Sequence, residues 1–308
     1  MNYNLIDKGP DITRIDISFG SVKKIPILPL KLERLYADNN PELEEFPIMP
    51  STLLVLSICL TGVCVLPPLP KTLEELYISD NPGIIVEWLP ENLKIFVADS
   101  CELELLPELP SQLTTLSVDN NYLECLPILP ETLETLIISN NEFEHLSTPL
   151  PENLKICLLQ NNRLNNLPRL PSTLLELNCS ENELSRLPYL PSGLTDFTYF
   201  GNPLIYEFHN NRFSKIDYIN KINRFVDIFF ESVIREYLYK TITKRKTIQT
   251  DFCNKDYRVD IPYFRNEKQV SLKSMSSFCS THSSSISLCS LVSIDPWSLE
   301  SEDEFVFV

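Results

Sequence analysis

A proline returns every 20 or 21 residues through two thirds of this 308-residue chain, at Pro29, Pro50, Pro70, Pro90, Pro110, Pro130, Pro151, Pro171 and Pro191. Five of these close the phrase Leu-Pro-x-Leu-Pro, as in "LPELP" at 106–110. Proline fixes φ, lacks a backbone N–H and drives the residue before it towards extended geometry. A chain punctuated in this way cannot run a helix back between successive units, so the regular structure that recurs must be extended. A fixed period of this length marks a stack of like coils, and it governs every other reading of the sequence.

Four further columns keep the same step. Three residues after each anchor proline stands a leucine, from Leu32 to Leu194. Six after stand Leu35, Leu56, Leu76, Phe96, Leu116, Leu136, Cys157, Leu177 and Phe197, and eight after stand Ala37, Ile58, Ile78, Ala98, Val118, Ile138, Leu159, Cys179 and Tyr199. Eleven after, asparagine occupies seven of nine places, with Thr61 and Cys101 in the others. One step back, Ile12, Ile15 and Ile17 form a degenerate first unit with Gly20 in the asparagine place. The alternation in Leu116-Ser117-Val118 predicts a short strand with one face buried. An asparagine amide both donates and accepts, so a column of them is suited to bonding the turns of neighbouring coils; Thr61 and Cys101 supply part of that bonding.

The expected fold is a repeat solenoid over residues 1–204, with about ten units of 20–21 residues. Parallel strands line its inner face and extended, polyproline-like segments its outer face. At about 4.8 Å per strand the stack is about 48 Å long.

Composition narrows the function. Residues 1–204 carry 12 Lys+Arg against 28 Asp+Glu, a net −16, while the remainder carries 14 of each. An acidic solenoid is a poor match for DNA, RNA or anionic lipid. The nine cysteines include Cys101, Cys157 and Cys179 in the repeat columns and form no capping cluster, which points to a reducing, cytoplasmic compartment. The first residues lack the pattern of a secretory signal, and no apolar run reaches the ~18 residues of a membrane span.

After Leu204 the pattern changes. Apolar residues at Ile216, Ile219, Ile222, Phe225, Val226, Phe229, Phe230, Val233, Ile234, Tyr237 and Leu238 follow helical spacing. Residues 205–246 are expected to form a helical C-terminal cap over the last coil, since a solenoid needs its open end covered. Residues 247–308, Ser-rich and acidic, are expected to be a flexible tail. No catalytic, cofactor-binding or metal constellation stands out: the three histidines lie in separate contexts and the chain has six glycines. Cys253 is the one candidate nucleophile outside the repeat columns, and no histidine accompanies it.

The pattern Leu-x-x-Leu-x-Leu-x-x-Asn-x-Leu, preceded by Leu-Pro-x-Leu-Pro, resembles the short leucine-rich repeats of bacterial type III effectors, among them ubiquitin-ligase effectors, and the Pro-rich repeats of giant viruses of amoebae. The resemblance covers residues 10–204. It implies a horseshoe that binds host proteins on its concave face. The chain departs from it in having fewer than a dozen residues before the first coil. Cys253-Asn254-Lys255-Asp256 also lacks the Cys-x-Asp spacing of the ligase nucleophile.

The functional expectation is a non-catalytic protein-binding scaffold in the cytosol, a viral or pathogen factor acting on host proteins. The alternative is a ubiquitin-ligase component or substrate-recognition adaptor. Strand residues between the buried columns point away from the core. Among them Tyr36, Val55, Tyr77, Ile95, Val97, Ile137, Ile156 and Leu158 are apolar where a purely solvated sheet would be polar, and they are the expected protein-binding residues.

Overall fold

The computed structural model describes residues 11–25, 27–43, 45–146, 149–204 and 215–251. Ten three-residue strands recur in chain order: β1 (Arg14–Asp16), β2 (Arg34–Tyr36), β3 (Val55–Ser57), β4 (Glu75–Tyr77), β5 (Ile95–Val97), β6 (Thr115–Ser117), β7 (Thr135–Ile137), β8 (Ile156–Leu158), β9 (Glu176–Asn178) and β10 (Asp196–Thr198). They form one sheet in sequential order, every pair parallel. Each strand lies in its own coil, numbered here after its strand. Like positions align without slip, as in Glu75 beside Ile95, Leu76 beside Phe96 and Tyr77 beside Val97.

The repeat columns are the core. The leucines three residues past each anchor, from Leu32 to Leu194, are buried. So are the columns six and eight residues past it, except in the last coil, where Phe197 and Tyr199 are half-buried and stack at 4.9 Å. Each anchor proline has a second task beyond excluding helix. Its carbonyl accepts the N–H of the leucine three residues on, as in Pro110 to Leu113 at 3.1 Å, which makes the turn that delivers the chain into the strand. No described residue of the return path is helical.

Side-chain ladders tie the coils together where the strands end. Asn121 Nδ2 donates to the carbonyls of Val118 in its own coil and Ala98 in the coil before, and its Oδ1 accepts from the N–H groups of Cys101 and Leu103. Asn40, Asn81, Asn141, Asn162, Asn182 and Asn202 make the same pair of carbonyl bonds. Thr61 keeps the bond within its coil, to Ile58, and Cys101 Sγ reaches back to Ile78. At Gly20 a side chain would stand 2.8 Å from Asn40 Oδ1, so the degenerate unit has glycine where its neighbour's amide needs room.

A second ladder runs along the turn that enters the strands. Thr52, Thr72, Thr132 and Thr173 each donate a hydroxyl to two carbonyls of the preceding coil, and Asn92 and Asn153 reach one.

The residue before the asparagine column is left-handed in every coil: Phe19, Asn39, Leu60, Asp80, Ser100, Asn120, Asn140, Asn161, Glu181 and Gly201 have φ between 51° and 71°. Asparagine, aspartate and glycine tolerate that region, whereas Phe19, Leu60 and Glu181 adopt it at a cost.

Among the described residues one helix, α1 (Lys215–Asp251), follows. Contacts divide the chain into the solenoid unit, ending at Glu207, and a second unit beginning at Phe208. The expected tail, 247–308, lies outside the described residues beyond Asp251, as does Cys253.

Candidate functional site: the open face of the sheet

Because the middle residue of every strand but the last is buried, the residues on either side of it face away from the core. They form two columns running the length of the sheet. Tyr36, Tyr77, Ile95, Val97, Ile137, Ile156 and Leu158 all lie there and are half-buried. Val55 departs from the expectation. It is 3% exposed, set in register between the longer side chains of Arg34 and Glu75, and it offers a partner almost no surface.

The structure joins some of these residues to charges. The Arg14 guanidinium lies over the Tyr36 ring, 4.9 Å from its centroid, and 3.9 Å from Asp16. The Tyr77 hydroxyl donates to Glu75 at 3.0 Å. Burial, then that hydrogen bond and the Glu75 charge, push the Tyr77 phenol up to about 12.

Beyond the strands, the position nine residues past the anchor forms a polar edge. Asp38 accepts from Ser57 Oγ and from the N–H of Cys59, and Asp99 accepts from Ser117 Oγ and from the N–H of Asp119. Burial, with further raising from Asp119 and Asp80, holds the Asp99 carboxyl above its ordinary range. The edge breaks at coils 7 and 8, where Ser139 Oγ and Gln160 Oε1 are buried with no hydrogen-bond partner among the described residues. In the place that serine takes opposite Asp38 and Asp99 stands Leu158, which has nothing to donate.

The most exposed apolar side chains are elsewhere. Ile48, at 94%, with Ile27 and Ile128, stands between the two prolines that precede a strand, and Val65, Ile85 and Leu105 line successive return segments. None of these six is among the protein-binding residues expected from the sequence. The sequence signal for Ile27, Ile48 and Ile128 is an apolar residue beside proline, outside the four core columns.

Cys101, Cys157 and Cys179 are buried, while Cys64 and Cys125 are exposed, and all are free thiols. Burial pushes the Cys101 thiol up to about 11 and the Cys179 thiol to about 12. These are packing groups, not poised nucleophiles. Among the described residues no group of three or more His, Cys, Asp or Glu is placed to hold a metal ion, and no helix is long and apolar enough to cross a membrane.

A stack of short parallel strands, buried leucine columns and an asparagine ladder leaves one architecture. This is a leucine-rich-repeat solenoid. No family model matches the sequence, and no curated protein matches it. Among solved structures, YopM from Yersinia enterocolitica is similar at 27% identity and a TM-score of 0.51, over 61% of this chain and 51% of that one. The chain thus spans about half the length of that relative. YopM from Yersinia pestis, a leucine-rich effector protein, is similar at 23% identity and a TM-score of 0.36, over 66% of this chain and 87% of that one. A chain from the octameric complex of Latrophilin 3, Unc5D and FLRT2, whose leucine-rich repeats belong to FLRT2, is similar at 19% identity and a TM-score of 0.42, over 58% and 70%. Leucine-rich-repeat solenoids are typically interaction scaffolds.

Proposed function

We propose that this chain is a protein-interaction scaffold that binds partner proteins across the open face of its sheet, as a pathogen or viral factor acting on host proteins in the host cytosol. The observation that carries the reading is the row of half-buried apolar residues on that face, centred on Ile95, Val97, Ile137, Ile156 and Leu158. A sheet face that served only solvation would hold polar residues there, and apolar surface rimmed by polar groups marks contact sites. The likeness to YopM supports an effector role. In this reading the solenoid depends on residues 205–246, and deleting them should cause aggregation or loss of cooperative unfolding.

A second surface is favoured by the exposed stripe Val65, Ile85 and Leu105 on the return side. Photo-crosslinking side chains placed singly at Val97, Ile137, Leu158 and Ile85 would separate the two. Adducts with a cellular protein from the first three positions, and none from Ile85, support the open face. The reverse pattern moves the interface to the return side.

A further inference from the structure

The open face carries a charge that it does not itself balance. Its two strand columns and the two positions that follow them, nine and ten residues past the anchor, hold nine carboxylates against two guanidinium groups. The carboxylates are Asp16, Glu75, Glu176 and Asp196 on the strands and Asp38, Asp80, Asp99, Asp119 and Glu181 beside them; the guanidiniums are Arg14 and Arg34, both in the first two coils. From coil 3 onwards these four columns contain no lysine or arginine. Lys94 and Lys155, on the side where the chain enters the sheet, are already paired with Glu74 and Glu134 at 2.8 Å.

The first two coils show what a cation does on this surface. The Arg14 guanidinium rests on the Tyr36 ring with a carboxylate of its own strand beside it. Tyr77 occupies the same column two coils on, with Glu75 on its own strand bonded to its hydroxyl. The residue that stands to Tyr77 as Arg14 stands to Tyr36 is Val55, which is buried and neutral. Ring and carboxylate are therefore present at coil 4, and among the described residues none supplies the cation. One coil further, Asp99 lies within electrostatic reach of both Asp80 and Asp119, so three like charges gather at that edge.

We propose that coils 4 to 6 of the open face dock an extended basic segment of a partner protein, one Arg or Lys over the Tyr77 ring beside Glu75 and a second at the carboxylates of Asp80, Asp99 and Asp119. The proposal rests on the scaffold reading above and names the chemistry of its partner. The geometry fits an extended chain crossing the strands. Strands stand about 4.8 Å apart, and alternate residues of an extended chain are about 6.8 Å apart. Two basic residues with one between them thus reach from the Tyr77 column to the carboxylates one or two coils on. Half-buried Val97, in register with Tyr77, offers apolar surface to the methylene stems of such side chains. The ring face attracts the cation and the carboxylates hold it.

The test is fluorescence anisotropy with a short labelled peptide of alternating Arg and Thr, against its Glu-Thr counterpart, at physiological ionic strength. The protein is used as the full chain, with folding confirmed by circular dichroism. The Arg-Thr peptide should bind wild type and the Glu-Thr peptide should not. Tyr77→Ala, and separately Asp99→Asn with Asp119→Asn, should each weaken binding about five- to tenfold. Tyr77→Phe, which keeps the ring, should bind as wild type does. Glu91→Gln with Glu108→Gln removes the same charge from exposed positions off the sheet and should change binding less than about twofold. Equal weakening by the two carboxylate pairs would mean diffuse attraction of a polycation to an acidic protein and would overturn the proposal. Absence of Arg-Thr binding, or preference for the Glu-Thr peptide, would overturn it too. Either result leaves the scaffold reading to the crosslinking experiment, whose outcome does not depend on the charge of a probe.

Discussion

Asn121 donates its side-chain amide to the carbonyl of Ala98, 23 residues earlier and one coil back, at 2.9 Å. The same nitrogen holds Val118 in its own coil at 3.0 Å, and the side-chain oxygen takes two N–H groups from the preceding turn. One buried side chain thus satisfies four backbone groups that no strand can reach. Asn121→Ala leaves them without partners inside the protein and should cost about 3 kcal/mol or more, since each orphaned buried group costs about 1–3 kcal/mol. Asn121→Thr should cost less, because Thr61 shows a hydroxyl keeping the bond within the coil. Urea denaturation of the two variants checks the order, and equal midpoints for Asn121→Ala and wild type would remove the ladder from the account of stability.

Leu136 sits at the centre of the stack and is fully buried. Leu136→Ala should lower stability by about 2–5 kcal/mol through lost transfer energy and the cavity left behind. Ile128→Ala, at a position 84% exposed, should change it by less than about 0.5 kcal/mol. Parallel chemical denaturation of the pair checks the assignment of core and surface.

Phe19 holds a left-handed backbone at φ 58° with its ring 82% exposed, so it bears the conformational cost and gains little packing. Phe19→Asn should raise stability by about 1 kcal/mol, because asparagine tolerates this region. Leu60→Asn should gain less, because half of Leu60 is buried. A lower melting temperature for Phe19→Asn would show that the ring makes a contact worth more than the strain.

The buried thiols and Tyr77 set the alkaline limit. In the folded protein Cys101 titrates at about 11 and Cys179 at about 12, against 9.0 for an ordinary thiol, and Tyr77 at about 12 against 10.0. The folded state therefore binds these protons more tightly than the unfolded chain. Stability is full below about pH 9 and falls as pH rises from there through about 12. Denaturation midpoints taken between about pH 8 and pH 11 should decline, and Cys179→Ala should decline less steeply. At pH 8, iodoacetamide should label Cys64 and Cys125 in the native protein and leave Cys101, Cys157 and Cys179 unmodified, as read by peptide mass spectrometry.

The sequence by itself determined the architecture. Anchor prolines, three apolar columns and the asparagine column specify coil length, strand position and the side chains that point inward, because one coil repeated ten times averages out local exceptions. The paired asparagines at 120–121, 140–141 and 161–162 even carried the left-handed position, although only the backbone showed that Phe19, Leu60 and Glu181 share it. Tertiary structure decided what each surface residue meets. Alternation says that Val55 points away from the core, but Arg34 and Glu75, each a full coil away along the chain, decide how far it is exposed. The same holds for Arg14 over Tyr36 and for the unpaired Ser139. Periodicity within a coil fixes the direction of a side chain, whereas its cover and its partners come from the coils on either side, whose residues at that position vary independently.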